Sequence, residues 1–324
     1  THFVPSLKRE ISPVWDLIAL IKLYQLLRRL KPDIVHTHSS KAGILGRWAA
    51  FLARTPVIIH TFHGFGFNDF QKPAKKALLV LSERITALVT TALIAVSHHT
   101  KQTGLKHRIG REAQYTVINS GIHRNNAKSV DRLEVRKKLG FKSEDILITN
   151  ISCLKPQKNV SDFVRVAKEL VKKNPEKKLQ FVVIGDGEER GIIQTMTAEL
   201  QVSERVHLLG WRRDTAEILS ASDIFVLTSL WEGLPRALLE AMDAGLPCCV
   251  YRVDGIHDIM LDGKNEFSVE AGNVIGLTEI LNHMVNDSSF RKYAGSECKK
   301  SMKKDYYIDI MVDKINVFYS GNLS

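Results

Sequence analysis

Two glutamates, Glu232 and Glu240, stand seven intervening residues apart in the stretch Thr228-Ser229-Leu230-Trp231-Glu232-Gly233-Leu234-Pro235, which runs on through Glu240-Ala241-Met242-Asp243-Ala244-Gly245-Leu246-Pro247. An ionised carboxylate only accepts hydrogen bonds, which suits the hydroxyls of a sugar or a ribose. The preceding run Ile224-Phe225-Val226-Leu227 is short and apolar enough to be a buried strand. Arg236 to Ala244 has a helical pattern that stops at Gly245 and Pro247, and Pro235 suits the first helical turn. Glu232 is therefore expected on a loop at the C-terminal end of a strand, with Glu240 two helical turns further on. Open parallel sheets bind ligands in the crevice at those ends. Glu-x7-Glu alone fits two solvated acids equally well; the flanking strand and the Ala-Met-x-Ala-Gly-x-Pro run favour a site.

Other residues with chemical potential fall at similar junctions. Ile151-Ser152-Cys153-Leu154-Lys155-Pro156-Gln157-Lys158-Asn159 leads from a strand into a helix. A lysine there, beside free backbone N–H groups, suits a phosphate, and Lys158 is the candidate. Gly185-Asp186-Gly187 reads as a tight turn between strand and helix, a role glycine fills with or without a ligand. Trp211-Arg212-Arg213 follows another strand end, where arginines are as often simply solvated. His36, His38 and Lys41 sit at one strand end and His60 and His63 at the next. The four histidines lack a Cys, Asp or Glu at ligand-like spacing, so no metal is expected. Four imidazoles at two neighbouring strand ends suggest a shared crevice.

The elements needed to position these residues alternate. Pro13 to Leu30 is amphipathic, with Leu17, Leu20, Ile21, Tyr24 and Leu27 on one face, and Thr1 to Val4 suits the tail of a strand. Strands are expected at 34–37, 57–61, 92–96 and 115–118, with Ser97 capping a helix. A turn-rich segment from Asn119 to Ser129 reads as a linker. The rhythm restarts with strands at 146–151, 179–184, 206–209, 224–227 and 248–251, and helices at 160–173, 188–200, 215–220 and 236–244. Residues 273–319 read as helix in three pieces. Such alternation implies parallel, doubly wound sheets, and 324 residues suggest two domains.

Composition sets outer limits. The chain is 44% hydrophobic and 25% charged, as a soluble globular protein is. The four cysteines, Cys153, Cys248, Cys249 and Cys298, form no C-x-x-C pair, which points to neither zinc nor a disulfide framework and suits a reducing cytoplasm. A net charge of +11 suits an anionic membrane surface or phosphorylated ligands, and no nucleic-acid motif accompanies it. The most apolar stretch, Ala77 to Val96, is broken by Ser82-Glu83-Arg84 and reads as helix running into strand rather than a membrane span.

Glu-x7-Glu followed by Ala-Met-x-Ala-Gly-x-Pro resembles the retaining glycosyltransferases of family 4, those that build bacterial surface polysaccharides in particular. That resemblance implies two Rossmann-like domains facing across a cleft, the GT-B type. Their expected bounds are 1–122, 123–302, and a helix at 303–324 returning to the first domain. It implies a nucleotide-sugar donor, UDP- or GDP-linked, with no metal at its phosphates, and a glycan or lipid-linked acceptor. In the family the first glutamate contacts the donor sugar and the second the ribose, here Glu232 and Glu240. The Gly-Arg-Leu-x-x-x-Lys-Gly loop that holds the diphosphate maps onto the 152–159 segment. Lys158 takes the lysine position, Cys153 replaces the arginine and Asn159 the glycine, which makes Lys155 a candidate substitute charge. Gly185 and Gly187 match the donor-facing Gly-x-Gly loop, Arg212 lies on the loop near the base, and His63 best matches the histidine at the reacting centre. His38 and Lys41 would face the acceptor.

The family's opening strand and glycine-rich loop find no counterpart before Thr1, so a first domain lacking its first strands, and weak turnover, are expected. A cytoplasmic enzyme at the inner membrane face is implied. A nucleotide-sugar epimerase of the same architecture and a non-catalytic nucleotide-binding protein remain the rivals.

Overall fold

The computed structural model describes residues 1–8, 10–124, 130–260 and 267–323. The chain divides into two compact units, Thr1–Ser120 with Ile308–Ser324, and Gly121–Tyr307.

The first unit is built on a four-stranded parallel sheet in the order β1 (Ile34–His38), β2 (Val57–Phe62), β3 (Ala92–Ala95), β4 (Tyr115–Val117). Helices α1 (Pro13–Leu30), α2 (Ser40–Leu52), α3 (Pro73–Ala87) and α4 (His98–Lys106) precede or connect the strands. Thr1 to Val4 is not a strand. The Ser97 hydroxyl caps α4 by accepting the Thr100 N–H at 3.0 Å. Strand alternation separates two cores. Phe62, Leu93, Ala95 and Tyr115 pack with Val80 and Ala87 of α3. Val57, Ile59, Ala92, Ile94 and Ile118 pack with Met311, Ile315, Phe318 and Tyr319 of the last helix of the chain, Ile308–Leu323.

In the second unit, α5 (Arg132–Lys138) leads into six parallel strands. These are β5 (Ile146–Ile151), β6 (Leu179–Ile184), β7 (Val206–Leu208), β8 (Ile224–Leu227), β9 (Cys248–Tyr251) and β10 (Ser268–Val269), in the order β10-β9-β8-β5-β6-β7. Between them lie α6 (Val160–Lys173), α7 (Arg190–Glu199), α8 (Thr215–Ala221), α9 (Arg236–Asp243) and α10 (Ile256–Met260). α11 (Val274–Asn286) and α12 (Ser288–Lys300) follow, and the Ile308–Leu323 helix is α13. β8 and β9 are buried at every position, as strands covered on both faces must be. The sequence pattern misses α5, α10 and β10, which are short and lack a long apolar period. Part of the expected linker, 125–129, lies outside the described residues. Pro235 stands at the N-cap of α9, one residue before the turn it was expected to open.

The sheet of the second unit winds outward in both directions from β5. β6 lies on one side of it and β8 on the other. The crevice where strand order reverses is thus at the C-terminal ends of β5 and β8, and both loops carrying predicted ligands leave from there.

Candidate active site

The loop after β5 makes one turn of 3-10 helix, Pro156–Lys158, and then Asn159 takes a left-handed conformation, φ 44°, before α6. Glycine is the usual residue in that region and asparagine the best tolerated substitute, so Asn159 can stand where the resembled motif has glycine. Asn159 also donates to Asp162 at 2.6 Å.

The loop after β8 is stitched onto this turn. The Thr228 hydroxyl donates to the carbonyls of Lys158 at 3.1 Å and Asn159 at 3.0 Å. The Leu230 N–H donates to the Gln157 carbonyl at 2.8 Å, and Gln157 Nε2 to the Trp231 carbonyl at 2.7 Å. At the meeting point Lys158 Nζ forms an ion pair with Glu232 Oε1. Glu232 is 8% exposed, so Lys158 is what its carboxyl meets in place of water. Two residues proposed for opposite ends of one breaking bond are therefore direct neighbours.

A third loop fixes Glu232 from behind. Its N–H donates to Asp254 Oδ2 at 2.9 Å, and its carbonyl accepts the Gly255 N–H at 3.3 Å. Asp254, itself left-handed at φ 37°, thereby gains a role that its sequence did not reveal. An Asp-Gly pair just after a strand end was the available signal, but nothing in sequence says which backbone it caps.

Gly185 and Gly187 are needed for close approach. A Cβ on Gly185, φ 130°, would lie 2.1 Å from the Ser152 carbonyl oxygen, and one on Gly187 would lie 2.3 Å from the Leu154 carbonyl oxygen. These glycines let the loop after β6 lie against the loop that presents Lys158. The Leu154 N–H donates to the Asp186 carbonyl and its own carbonyl accepts the Glu189 N–H, both at 3.0 Å. Cys153 is half-buried in the same loop, and its carbonyl accepts the Lys155 N–H at 2.9 Å. Lys155 itself is half-buried, two residues along. Arg212 forms a bidentate pair with Asp214, at 2.9 and 2.6 Å, so its fork is already engaged at the start of α8.

Glu240 lines a pocket of about 220 Å³ with His123, Arg124, Thr215, Ala216, Leu219 and Asp243. Burial raises its carboxyl above the usual range, against the pull of Arg236 and His123. Arg236 is 3.8 Å away, one turn back on α9. The ion pair of Glu232 and the softer environment of Glu240 thus give the two glutamates different characters.

In the first unit three of the four histidines adjoin and the fourth is turned away: the ring centroids of His36 and His38 are 4.4 Å apart and those of His38 and His63 5.2 Å. His36 and His38 are on one face of β1, and strand alternation places His60 on the other. His36 Nε2 bonds Thr61 Oγ1 at 2.7 Å and its Nδ1 meets Tyr319 Oη of α13 at 2.6 Å. Buried His60 bonds Thr37 Oγ1 at 2.8 Å and abuts Gly43 of α2. Burial, with smaller pushes from neighbouring charges, lowers His36 to about 4 and His60 to about 2, so both are neutral at pH 7. The exposed pair is His38 and His63, 3.0 Å between Nδ1 and Nε2. Lys41, expected to face an acceptor, pairs with Asp16 and donates to the Glu10 carbonyl. Among the described residues no group of three or more His, Cys, Asp or Glu is arranged to hold a metal ion.

Residues 131–301 match the model of the glycosyl transferases group 1 family, and residues 2–126 that of glycosyltransferase family 4. The chain is 36% identical to the UDP-Gal:alpha-D-GlcNAc-diphosphoundecaprenol alpha-1,3-galactosyltransferase of Escherichia coli, over 98% of this chain and 82% of that one. It is 26% identical to the capsular polysaccharide biosynthesis glycosyltransferase CapM of Staphylococcus aureus, over 98% and 84%. The Anabaena HepE structure with UDP and glucose superposes with a TM-score of 0.81 at 20% identity, over 97% of this chain and 84% of that one, a likeness of fold.

Proposed function

The chain belongs to the glycosyl transferases of group 1 and is a glycosyltransferase; we propose that it moves galactose from UDP-galactose, with retention, onto a sugar carried by a lipid diphosphate during synthesis of a surface polysaccharide. The Lys158–Glu232 pair carries this reading. The similarity to the Escherichia coli galactosyltransferase supplies the choice of donor and acceptor.

In this scheme Lys158 and the N-terminus of α6 meet the departing diphosphate. Glu232 accepts from the sugar hydroxyls, and its negative charge faces the ring as C1 becomes oxocarbenium-like. The bond from C1 to the phosphate oxygen breaks, and the acceptor oxygen bonds C1 from the same side. The acceptor's proton leaves with the phosphate oxygen. The ion pair holds both side chains in place before the substrate arrives. Glu240 accepts from the ribose hydroxyls. Asp254 positions Glu232 without touching substrate. His63 is the first unit's candidate for the reacting sugar, and Lys155, Gly185, Gly187 and Arg212 remain candidates for the nucleotide. No metal is called for at the phosphates.

The test is product analysis. Labelled UDP-galactose, UDP-glucose, UDP-N-acetylglucosamine and GDP-mannose are each incubated with and without a polyprenyl-diphosphate-linked N-acetylglucosamine. An α-linked disaccharide lipid formed from UDP-galactose alone is expected. An epimerised nucleotide sugar formed without acceptor, or a β-linked product, would overturn the scheme.

A further inference from the structure

Helix α3 is apolar on the side that faces away from its core. Val80, Glu83, Thr86 and Ala87 form the inner face, where Glu83 is locked to Arg47 of α2 at 2.6 Å. The opposite face presents Ala74, Ala77, Leu78, Leu81 and Ile85, followed by Leu88 just beyond the helix, all exposed. Leu78 is 60% exposed and Leu88 84%. Their spacing of three and four makes one continuous stripe. Among exposed positions from 74 to 88, Lys75 alone is charged. A helix that meets only water carries polar residues on such a face.

The stripe has a basic head. Exposed Phe70 precedes the helix, and Lys72, Lys75 and Lys76 occupy its start. The hydrogen bond and charge of Lys76, with a smaller push from Lys106 of α4, lower the Asp69 carboxyl, and burial, with Lys76 and Lys106, lowers the His107 imidazole. Asp69 is paired with Lys76 at 2.5 Å, which leaves the cluster positive. Toward the other end, Trp48 of α2 donates to Thr86 at 3.1 Å and packs edge-on against Phe51, itself half exposed. Among the described residues no helix is long and apolar enough to cross a membrane, so immersion of this stripe would be lateral.

We propose that the outer face of α3, headed by Phe70, Lys72, Lys75 and Lys76, is the surface by which the protein lies on an anionic lipid bilayer. A stripe of leucine and isoleucine enters the acyl boundary while lysines at its end meet lipid phosphates. Charge selects this occupant. A second copy would bring an identical apolar stripe and an identical positive head, with no acid to answer it. The inference draws its purpose from the lipid-linked acceptor of the proposed function, but the binding itself needs neither donor nor acceptor.

Co-sedimentation with vesicles tests it, using phosphatidylcholine alone and phosphatidylcholine with one quarter phosphatidylglycerol. The whole chain should sediment with the anionic vesicles and release as salt rises. Leu81→Glu should weaken partition by more than about tenfold, from lost immersion. Lys72→Gln with Lys75→Gln should weaken it by about fivefold for each charge. UDP affinity unchanged in these surface variants shows that they are folded. Equal sedimentation of wild type and Leu81→Glu would overturn the proposal. So would a dimer in solution that Leu81→Glu dissolves, with no vesicle binding. A chain that binds vesicles but transfers no sugar would refute the proposed function and leave this surface standing.

Discussion

The strand ends of the two units hold their polar groups in opposite ways. In the second unit the loops after β5, β8 and β9 are bound to one another through backbone carbonyls and N–H groups, and a buried ion pair, Lys158 with Glu232, sits where they meet. In the first unit the strand ends carry imidazoles, neutral at pH 7 where buried, joined through Thr37, Thr61 and Tyr319 hydroxyls. A charged pair removed from water contributes little net stability over an apolar pair of the same size. Its place where three loops meet at the strand ends is what ties it to the proposed chemistry. The first unit keeps its own buried ion pair, Arg47 with Glu83, between α2 and α3 and away from the strand ends, where neutral imidazoles and hydroxyls offer donors and acceptors suited to uncharged hydroxyls.

The largest expected effect separates those two roles of charge. Lys158→Ala leaves Glu232 buried and unpaired, and should lower unfolding free energy by about 3–5 kcal/mol. Lys158→Met with Glu232→Leu should recover most of that loss in urea denaturation and none of the transferase activity. Recovery of activity in the double variant would remove the functional reading of the pair.

The glycines sharpen the contrast at a smaller scale. Gly187→Ala and Gly43→Ala both create a contact of 2.3 Å. The first meets a backbone carbonyl in the Lys158 loop, the second the edge of the His60 ring. Gly187→Ala should cost about 1–3 kcal/mol and lower donor affinity, whereas Gly43→Ala should cost less, because a side chain can turn aside. Equal costs in thermal denaturation would show the second-unit loops to be no more rigid than the first-unit ring.

Two histidines of the first unit and one glutamate of the second should respond to pH with opposite sign. His36 and His60 have folded values below the ordinary 6.5, so the unfolded chain binds protons more readily. Their contribution is complete above pH 6.5 and is lost as pH falls toward about 4 for His36 and about 2 for His60. Each imidazole adds at most about 1.4 kcal/mol per pH unit within its window. Denaturation midpoints between pH 7 and 4.5 should therefore fall, and His36→Gln should flatten part of the slope. The smallest effect is at Glu240, whose carboxyl burial raises. Its sign is opposite. The folded state holds this proton more tightly than the unfolded chain, so relative stability is lost as pH rises through the carboxylate range. Glu240→Gln should slightly raise the melting temperature at pH 7.5 while weakening nucleotide binding. A lower melting temperature would contradict that environment.

Fold class was legible because strands such as Ile224–Leu227 and Cys248–Tyr251 are buried on both faces and therefore read as unbroken apolar runs. Glu232 was legible as a candidate because it follows such a run, and Lys158 because it stands in a strand-to-helix loop that resembles a diphosphate-binding motif. Their pairing was not, since 74 residues separate them and sequence periodicity carries no information across a sheet. Asp254 was missed on the same ground. The four histidines were grouped by proximity of strand ends, but the twofold alternation of side chains sends His60 to the other face. The partners of Lys41, Asp16 in the first turn of α1 and the Glu10 carbonyl before it, were not legible, because periodicity marks α1 as a helix without saying what its polar side chains meet.

Calorimetric titration of UDP into wild type, Lys158→Arg and Glu232→Gln is the most direct test of a charge pair divided between the two ends of the donor. Lys158→Arg, which keeps charge but changes geometry, should bind UDP about tenfold more weakly. Glu232→Gln should bind UDP as wild type does or better, because Lys158 is then released to the phosphates, and should fail only with the sugar attached. UDP binding that is lost in Glu232→Gln and intact in Lys158→Arg would contradict the assignment.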